Sequence, residues 1–358
     1  MQPHISIAIL LGLALCGCTN MGPTSVPRDR FAYNLAVADS WKEQTLLNIV
    51  KLRYADVPLF VDVASIVSGY TLERSVNING TVSSPDTVQG DFLSAGATGR
   101  FIDRPTITYA PIMGAKFNET FMTPIDPSAV LFLMQSGWPS DIVLPMTVDS
   151  INGYRSAVVA GSAQREGDAT FYKVMDAIRE IQRAGVVGMR IHQDQRERNT
   201  TVMFFHREQM TSEEQGAVAR LEELLGLSGE GEDITVSYGL FPETEREIAI
   251  ITRSMLQIML RLAAYIDVPE QHVTEGRTLP AGRREGTEHA KLSERFRIHS
   301  ALEEPGNSFV SVKYKDHWYW IDEGDYRTKH SFTFLMILMS QTETGSNKGL
   351  PLVTIPAG

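Results

Sequence analysis

The chain has 358 residues, of which 43% are hydrophobic, 21% charged and 8% aromatic; this excludes a disordered chain and one made mostly of membrane spans. It is too long for one compact core, so two or more globular units are predicted. With 33 basic against 43 acidic residues the formal charge is −10, which leaves no general electrostatic footprint for nucleic acid.

The first residues, MQPHISIAILLGLALCGCTN, contain an apolar run over 5–15. It is too short to cross a bilayer and has the length of a signal-peptide core. Its end, Leu15-Cys16-Gly17-Cys18, resembles the bacterial lipobox, in which an aliphatic residue at −3 and Gly at −1 precede the cysteine that receives lipid. Cys16 fits less well, because it would put Leu15 at −1, where the signal peptidase of lipoproteins takes a small side chain. The n-region departs from the pattern, since residues 1–4 carry no Lys or Arg. Residues 1–17 are therefore read as a lipoprotein signal peptide and Cys18 as the lipidation site. The resemblance implies three acyl chains there, and at about 0.8 kcal/mol per buried CH₂ that makes a stable anchor. Thr19 stands where lipoproteins retained in the inner membrane usually have Asp, so the resemblance implies the outer membrane, periplasmic face. Removal of Cys16 with the signal leaves no thiol for disulfides or catalysis.

Residues 18–30 read as a tether, with two prolines and a glycine. The spacing of Leu47, Val50 and Tyr54 predicts a helix over 31–56 with Trp41 near its buried side, closed by Pro58. A β-rich stretch follows, with Asn79-Gly80 as a hairpin turn, 83–99 as a long loop and 105–112 as a strand. Asp126-Pro127 predicts an N-cap and N1 proline for a helix to about Ser136, and Asn152-Gly153 a turn. From Phe171 to Ile181 an i, i+3, i+4, i+7, i+10 stripe predicts a helix ended by Gly185. Two β-like runs, VVGMRIH and TTVMFFH, precede a capping box at Thr211 and Glu214. Strands near 234–238 and 247–251 and a buried helix over 255–266 come next. Residues 269–293, rich in Glu, Arg and Gly, read as an exposed linker or loop; Arg283-Arg284 could touch lipid head groups, against which the acidic residues around it favour a merely solvated loop. Strands over 296–302, 309–314 and 318–322 and a helix over 327–341 complete the chain. The predicted class is α+β with mainly antiparallel sheets, divided as 31–165, 166–268 and 294–358 around the 269–293 linker.

Motifs of nucleophilic, zinc, phosphate-binding and dinucleotide chemistry are absent: the sequence has no GxSxG, HExxH, P-loop, GxGxxG or CxxC. No catalytic residue, metal ligand or cofactor is therefore assigned. The densest polar and aromatic patch is HWYWIDEGDYR. On a strand Trp318 and Trp320 share a face able to stack a sugar ring or peptide side chain, and Asp322, Glu323 and Asp325 offer oxygen ligands. The competing reading makes the tryptophans core and the acids caps for the next helix. His192 and His206 end consecutive strands, and close pairing of those strands would hold them apart. The apolar run FTFLMILM fits a helix sandwiched in the core or one docking another subunit.

Segments such as LLNIVKLRYADVPLF, QSGWPSDIVLPMTVDSING and WYWIDEGDYRTKHSFTFLMIL resemble large envelope lipoproteins of Gram-negative bacteria. The resemblance implies location and no activity. The expectation is an outer-membrane lipoprotein that joins envelope proteins in an assembly, with no nucleic-acid partner. A glycan- or peptide-binding module and an envelope hydrolase with an unusual site are the alternatives.

Overall fold

The computed structural model describes residues 21–67, 70–81, 92–160, 163–193, 199–206, 210–229, 233–281 and 296–342. The chain divides into two compact units, one formed up to Pro58 together with Phe121–Ser340 and the other by Leu59–Thr120. The class is α+β with mostly antiparallel sheets, as expected. Cys18 and residues 1–20 lie outside the described residues.

Helix α1 (Met21–Arg53) starts ahead of the expected position, and its first turns include the segment read as a tether. Burial begins at Thr45: Leu46, Ile49 and Val50 are fully enclosed, while Phe31 and Leu35 upstream are exposed. The helix ends in a Schellman motif. Asp56 N–H donates to Lys51 O (2.9 Å) and Ala55 N–H to Leu52 O (3.2 Å), with Ala55 at φ +56° in the left-handed region that usually takes glycine.

The second unit is a β-ribbon. Strands β1 (Val61–Val67) and β4 (Thr106–Pro111) pair antiparallel, as do β2 (Tyr70–Thr81) and β3 (Phe92–Asp103). This corrects two expectations. Asn79 and Gly80 are not a turn but pair with Ser94 and Leu93, and the predicted loop over 83–99 is strand from Phe92 onward. Asn79 continues an alternation with Ser75 and Asn77, and that period outweighs the local turn chemistry of Asn-Gly.

In the first unit α2 (Pro127–Gln135) is capped by Asp126 with Pro127 at N1, as predicted. Helix α3 (Ser140–Thr147) leads into β5 (Val148–Ile151), whose turn at Asn152-Gly153 gives β6 (Tyr154–Arg155). A small hairpin, β7 (Val158–Ala160) and β8 (Ala163–Arg165), precedes α4 (Ala169–Ala184), which buries Phe171, Val174, Ala177 and Ile181 and stops at left-handed Gly185. Strands β9 (Val187–Gln193) and β10 (Asn199–Phe205), helix α5 (Ser212–Leu225) with its capping box, and strands β11 (Asp233–Tyr238) and β12 (Glu247–Thr252) follow. They form a six-stranded sheet of order β6-β5-β12-β11-β10-β9, so β5 and β6 belong with the later strands across the boundary expected near 165.

The β11 and β12 strands are parallel although few residues join them. Buried Glu247 explains how: its carboxylate accepts from Glu243 N (2.8 Å), Thr244 N (3.1 Å) and the Ser237 hydroxyl, pinning the return loop. Past β12, buried Arg253 donates to Pro145 O (3.1 Å), Met146 O (3.2 Å) and Asp149 Oδ1 (3.1 Å), which ties the end of α3 to the sheet.

Helix α6 (Met255–Ala263) is buried along most of its length, and the short α7 (Glu270–Thr274) follows it. Strands β13 (His299–Ala301), β14 (Ser308–Tyr314) and β15 (His317–Asp322) make a sheet of order β13-β15-β14 packed on α1. In α8 (Tyr326–Thr342) the side chains of Phe332, Phe334, Leu335, Leu338 and Met339 are all buried. The apolar surplus of this helix is therefore core, and the expectation of a docking face on it is withdrawn.

Candidate functional site

The C-terminal end of α1, the segment around α7 and the β14–β15 hairpin converge on Tyr54. Its hydroxyl lies 2.5 Å from the Tyr319 hydroxyl and 2.7 Å from His272 Nδ1. Tyr319 is 0% exposed and His272 3%, so neither has water as an alternative partner. With either histidine tautomer the three groups form one hydrogen-bonded chain. The His317 ring meets His272 edge-on at 4.8 Å. Beside them Tyr314 donates to Asp56 Oδ2 at 2.5 Å.

Electrostatics keep this cluster uncharged at its centre. Burial, followed by His317 and Arg277, holds the His272 pKa below the usual imidazole range. Burial raises all three tyrosines; the hydrogen bond to Tyr54 adds to the rise at Tyr319, and that to Asp56 at Tyr314. Asp56 is lowered by the Tyr314 hydroxyl and then by Val57 N–H. The tyrosines are thus protonated hydrogen-bond donors rather than bases.

The surrounding backbone is strained. Ala55 (φ +56°), Lys315 (+47°) and Asp316 (+67°) are three of the four non-glycine residues with positive φ among those described. The last two form the turn between β14 and β15, which sets the Lys315 ammonium 5.6 Å from the Tyr54 ring centre and 5.3 Å from that of Tyr314. Such conformations cost roughly 1–3 kcal/mol each and concentrate at functional sites.

Next to this cluster is a cavity of about 740 Å³, within the usual size of small-molecule sites. Leu260, Val273 and Leu279 contribute to its apolar wall, and Arg53, Asp56 and Arg277 supply its charges. Arg277 is paired with Glu275 at 2.6 Å. Arg53 is not: its Nη2 donates to Leu279 O (2.7 Å), its buried Nε has no hydrogen-bond partner, and no carboxylate pairs with it among the described residues. Desolvation by burial lowers its pKa. A guanidinium held this way favours a bound anion.

Sequence reasoning placed Tyr54 only as a helix-face residue and assigned no role to Arg53, His272 or Tyr314. The first part of the predicted 269–293 linker is packed: His272 is buried and Thr278 Oγ1 donates to Arg53 O (2.7 Å). A histidine three positions after Pro269, in the first turn of a short helix, was the available signal.

The patch that the sequence favoured lies elsewhere on the same hairpin. Trp318 and Trp320 occupy the outer, half-buried face of β15, whereas Tyr319 and Ile321 fill the inner one. Trp320 stacks on His299 at 5.3 Å and 28°. Asp322 Oδ1 accepts from Gly324 N (2.7 Å), Asp325 caps α8 through Thr328 N (3.1 Å) and Oγ1 (2.6 Å), and Glu323 pairs with Lys329. The three acids are thus engaged locally, and no cluster of three metal-ligating side chains occurs among the described residues. His192 pairs in register with Thr200, while His206 N–H donates to Val186 O at the far end of the strands. His330 stacks on Trp138 at 5.0 Å. Arg283 and Arg284 lie outside the described residues.

Among the described residues no helix is long and apolar enough to cross a membrane. No protein-family model, curated protein or solved structure matches this chain.

Proposed function

We propose that the chain is a lipoprotein of the outer membrane, anchored through Cys18 and facing the periplasm, that serves an envelope assembly by binding rather than by catalysis. The observation that supports binding is the cavity beside Tyr54, where a desolvated Arg53 with no carboxylate partner among the described residues meets apolar walls. The polar groups next to it satisfy one another and its tyrosines are held protonated, an arrangement suited to a rigid binding wall. The lipobox resemblance supports the anchor.

The test is intact mass and membrane fractionation of natively expressed protein beside Cys18→Ser. A triacylated species in the outer membrane, lost in the variant, is the expected result; an unlipidated soluble chain would overturn the anchor. For binding, native mass spectrometry of the purified protein should reveal a co-purifying anionic species that Arg53→Gln releases. Retention of the same species by the variant would refute the role of Arg53.

A second reading is favoured by the outer Trp318–Trp320 face: a glycan or peptide stacked there, with Asp322, Glu323 and Asp325 at its end. Replacing both tryptophans then abolishes binding while the hairpin stays folded.

A further inference from the structure

Strands β2 and β3 pair over 12 residues each, from Tyr70↔Asp103 to Thr81↔Phe92. Strands β1 and β4 pair in the same register, at Val67↔Thr106. Directly paired residues share a face, and successive residues alternate faces. Leu72↔Phe101, Val76↔Ala97 and Ile78↔Ala95 therefore lie on one face, and Glu73↔Arg100, Ser75↔Thr98 and Asn77↔Gly96 on the other. The second face is solvated, with Glu73, Ser75, Asn77 and Asn79 exposed and a hydrogen bond between the Ser75 and Thr98 hydroxyls at 2.5 Å.

Among the described residues no third strand borders either edge of this ribbon. A lone two-stranded ribbon is marginal in water, and long open edges pair with other strands. Strands of this length span roughly 40 Å at about 3.4 Å per residue. A tilted strand needs about 9–11 residues to cross a bilayer, and outer-membrane barrels alternate apolar and polar residues with a period of two. Arg74, opposite Gly99, and Asp103, opposite Tyr70, are the two charged departures on the apolar face. Both fall in the half of the paired strands that begins at Tyr70↔Asp103, toward one end of a spanning strand, where a lipid-facing charge costs least.

We propose that copies of this chain pair edge to edge through β2 and β3 and close a β-barrel in the membrane. The face of Ile78 meets lipid and the face of Asn77 lines the lumen. Only the choice of membrane rests on the lipoprotein reading.

The test reconstitutes the full-length protein into vesicles of phosphatidylethanolamine and phosphatidylglycerol, digests it with protease and maps the protected peptides by mass. The expected result is a protected fragment covering 70–103 that is lost on adding detergent, and a closed oligomer by native mass. Ile78→Lys should lower the yield of that fragment by about tenfold or more, whereas Asn77→Lys leaves it unchanged. All four tryptophans lie in the other unit, so their emission checks that both variants retain that fold. Digestion of the ribbon as fast in vesicles as in detergent, an equal effect of the two lysines, or a protected complex of one copy with a different protein would overturn the proposal. The Cys18 mass from the same sample separates the two readings. An acylated chain with an unprotected ribbon refutes only the barrel, and a protected ribbon on an unacylated chain refutes only the anchor.

Discussion

Removing one oxygen from the centre of the buried chain gives the sharpest test of how this site is held. Tyr54→Phe leaves two buried groups without a partner: the Tyr319 hydroxyl, 0% exposed, and His272 Nδ1, 3% exposed. An orphaned buried polar group costs about 1–3 kcal/mol, so a loss of about 2–4 kcal/mol is expected once relaxation is allowed for. Tyr319→Phe removes only an end of the chain, because Tyr54 keeps His272, and should cost about 1 kcal/mol. In the double variant the Tyr319 hydroxyl is no longer there to be orphaned. Its cost should fall short of the sum of the singles by about 1–2 kcal/mol. The assay is urea unfolding of the Cys18→Ser chain followed by tryptophan emission, which reports this unit alone because all four tryptophans lie in it. Stability is read from the midpoint at constant slope. Equal costs for the two single variants, or strict additivity, would refute the idea of a hub.

Two further perturbations test the same region. Ala55→Gly relieves a left-handed alanine that costs about 1–2 kcal/mol but adds about 0.4–1 kcal/mol of unfolded-state entropy, so the midpoint should rise by the equivalent of up to about 1 kcal/mol; a fall would mean the Schellman turn is not strained. The lowered pKa of His272, shared by His299, makes the unfolded chain bind more protons as the pH falls below the ordinary imidazole value. The contribution of these groups is fully present above about pH 6.5 and is lost as the pH falls through their folded values. Urea midpoints should therefore decline between neutral and mildly acidic pH, and a flat profile there would contradict the lowered imidazole pKa values.

Helices were legible where local chemistry and burial agreed. Asp126-Pro127, the Thr211 and Glu214 capping box and Gly185 each mark a boundary by satisfying or releasing backbone groups in place, and each holds. The ribbon was misread because Asn79-Gly80 is a turn signal only when pairing stops there, and pairing partners are not visible in one strand. The site was harder still. Arg53, Tyr54, His272, Tyr314 and Tyr319 span 267 positions of chain, and no spacing rule joins residues brought together by tertiary packing. What the sequence showed at Trp318 to Asp325 was the correct hairpin with the conspicuous residues on its outer side, while the less conspicuous Tyr319 faced inward.

The Arg53 side chain decides whether the cavity is a site or a packing fault. A structural arginine is normally paired, as Arg253 is with Asp149 and two carbonyls, and removing such a partner from a buried pair costs about 3–5 kcal/mol. Among the described residues Arg53 makes one carbonyl contact and leaves its Nε unbonded, so the folded protein gains little from its charge while bearing part of its desolvation. Arg53→Gln should therefore leave the unfolding midpoint unchanged or raise it by the equivalent of up to about 1 kcal/mol, since a neutral amide needs less hydration. If the residue is retained for an anion, the stable variant must also lose the bound species seen by native mass spectrometry. Stability gained together with binding lost is the signature of a functional group held at some cost to the fold. A loss of more than about 2 kcal/mol on the same substitution would show instead that Arg53 supports the packing of α1 on the 276–280 segment, and the cavity would then be a by-product of that contact.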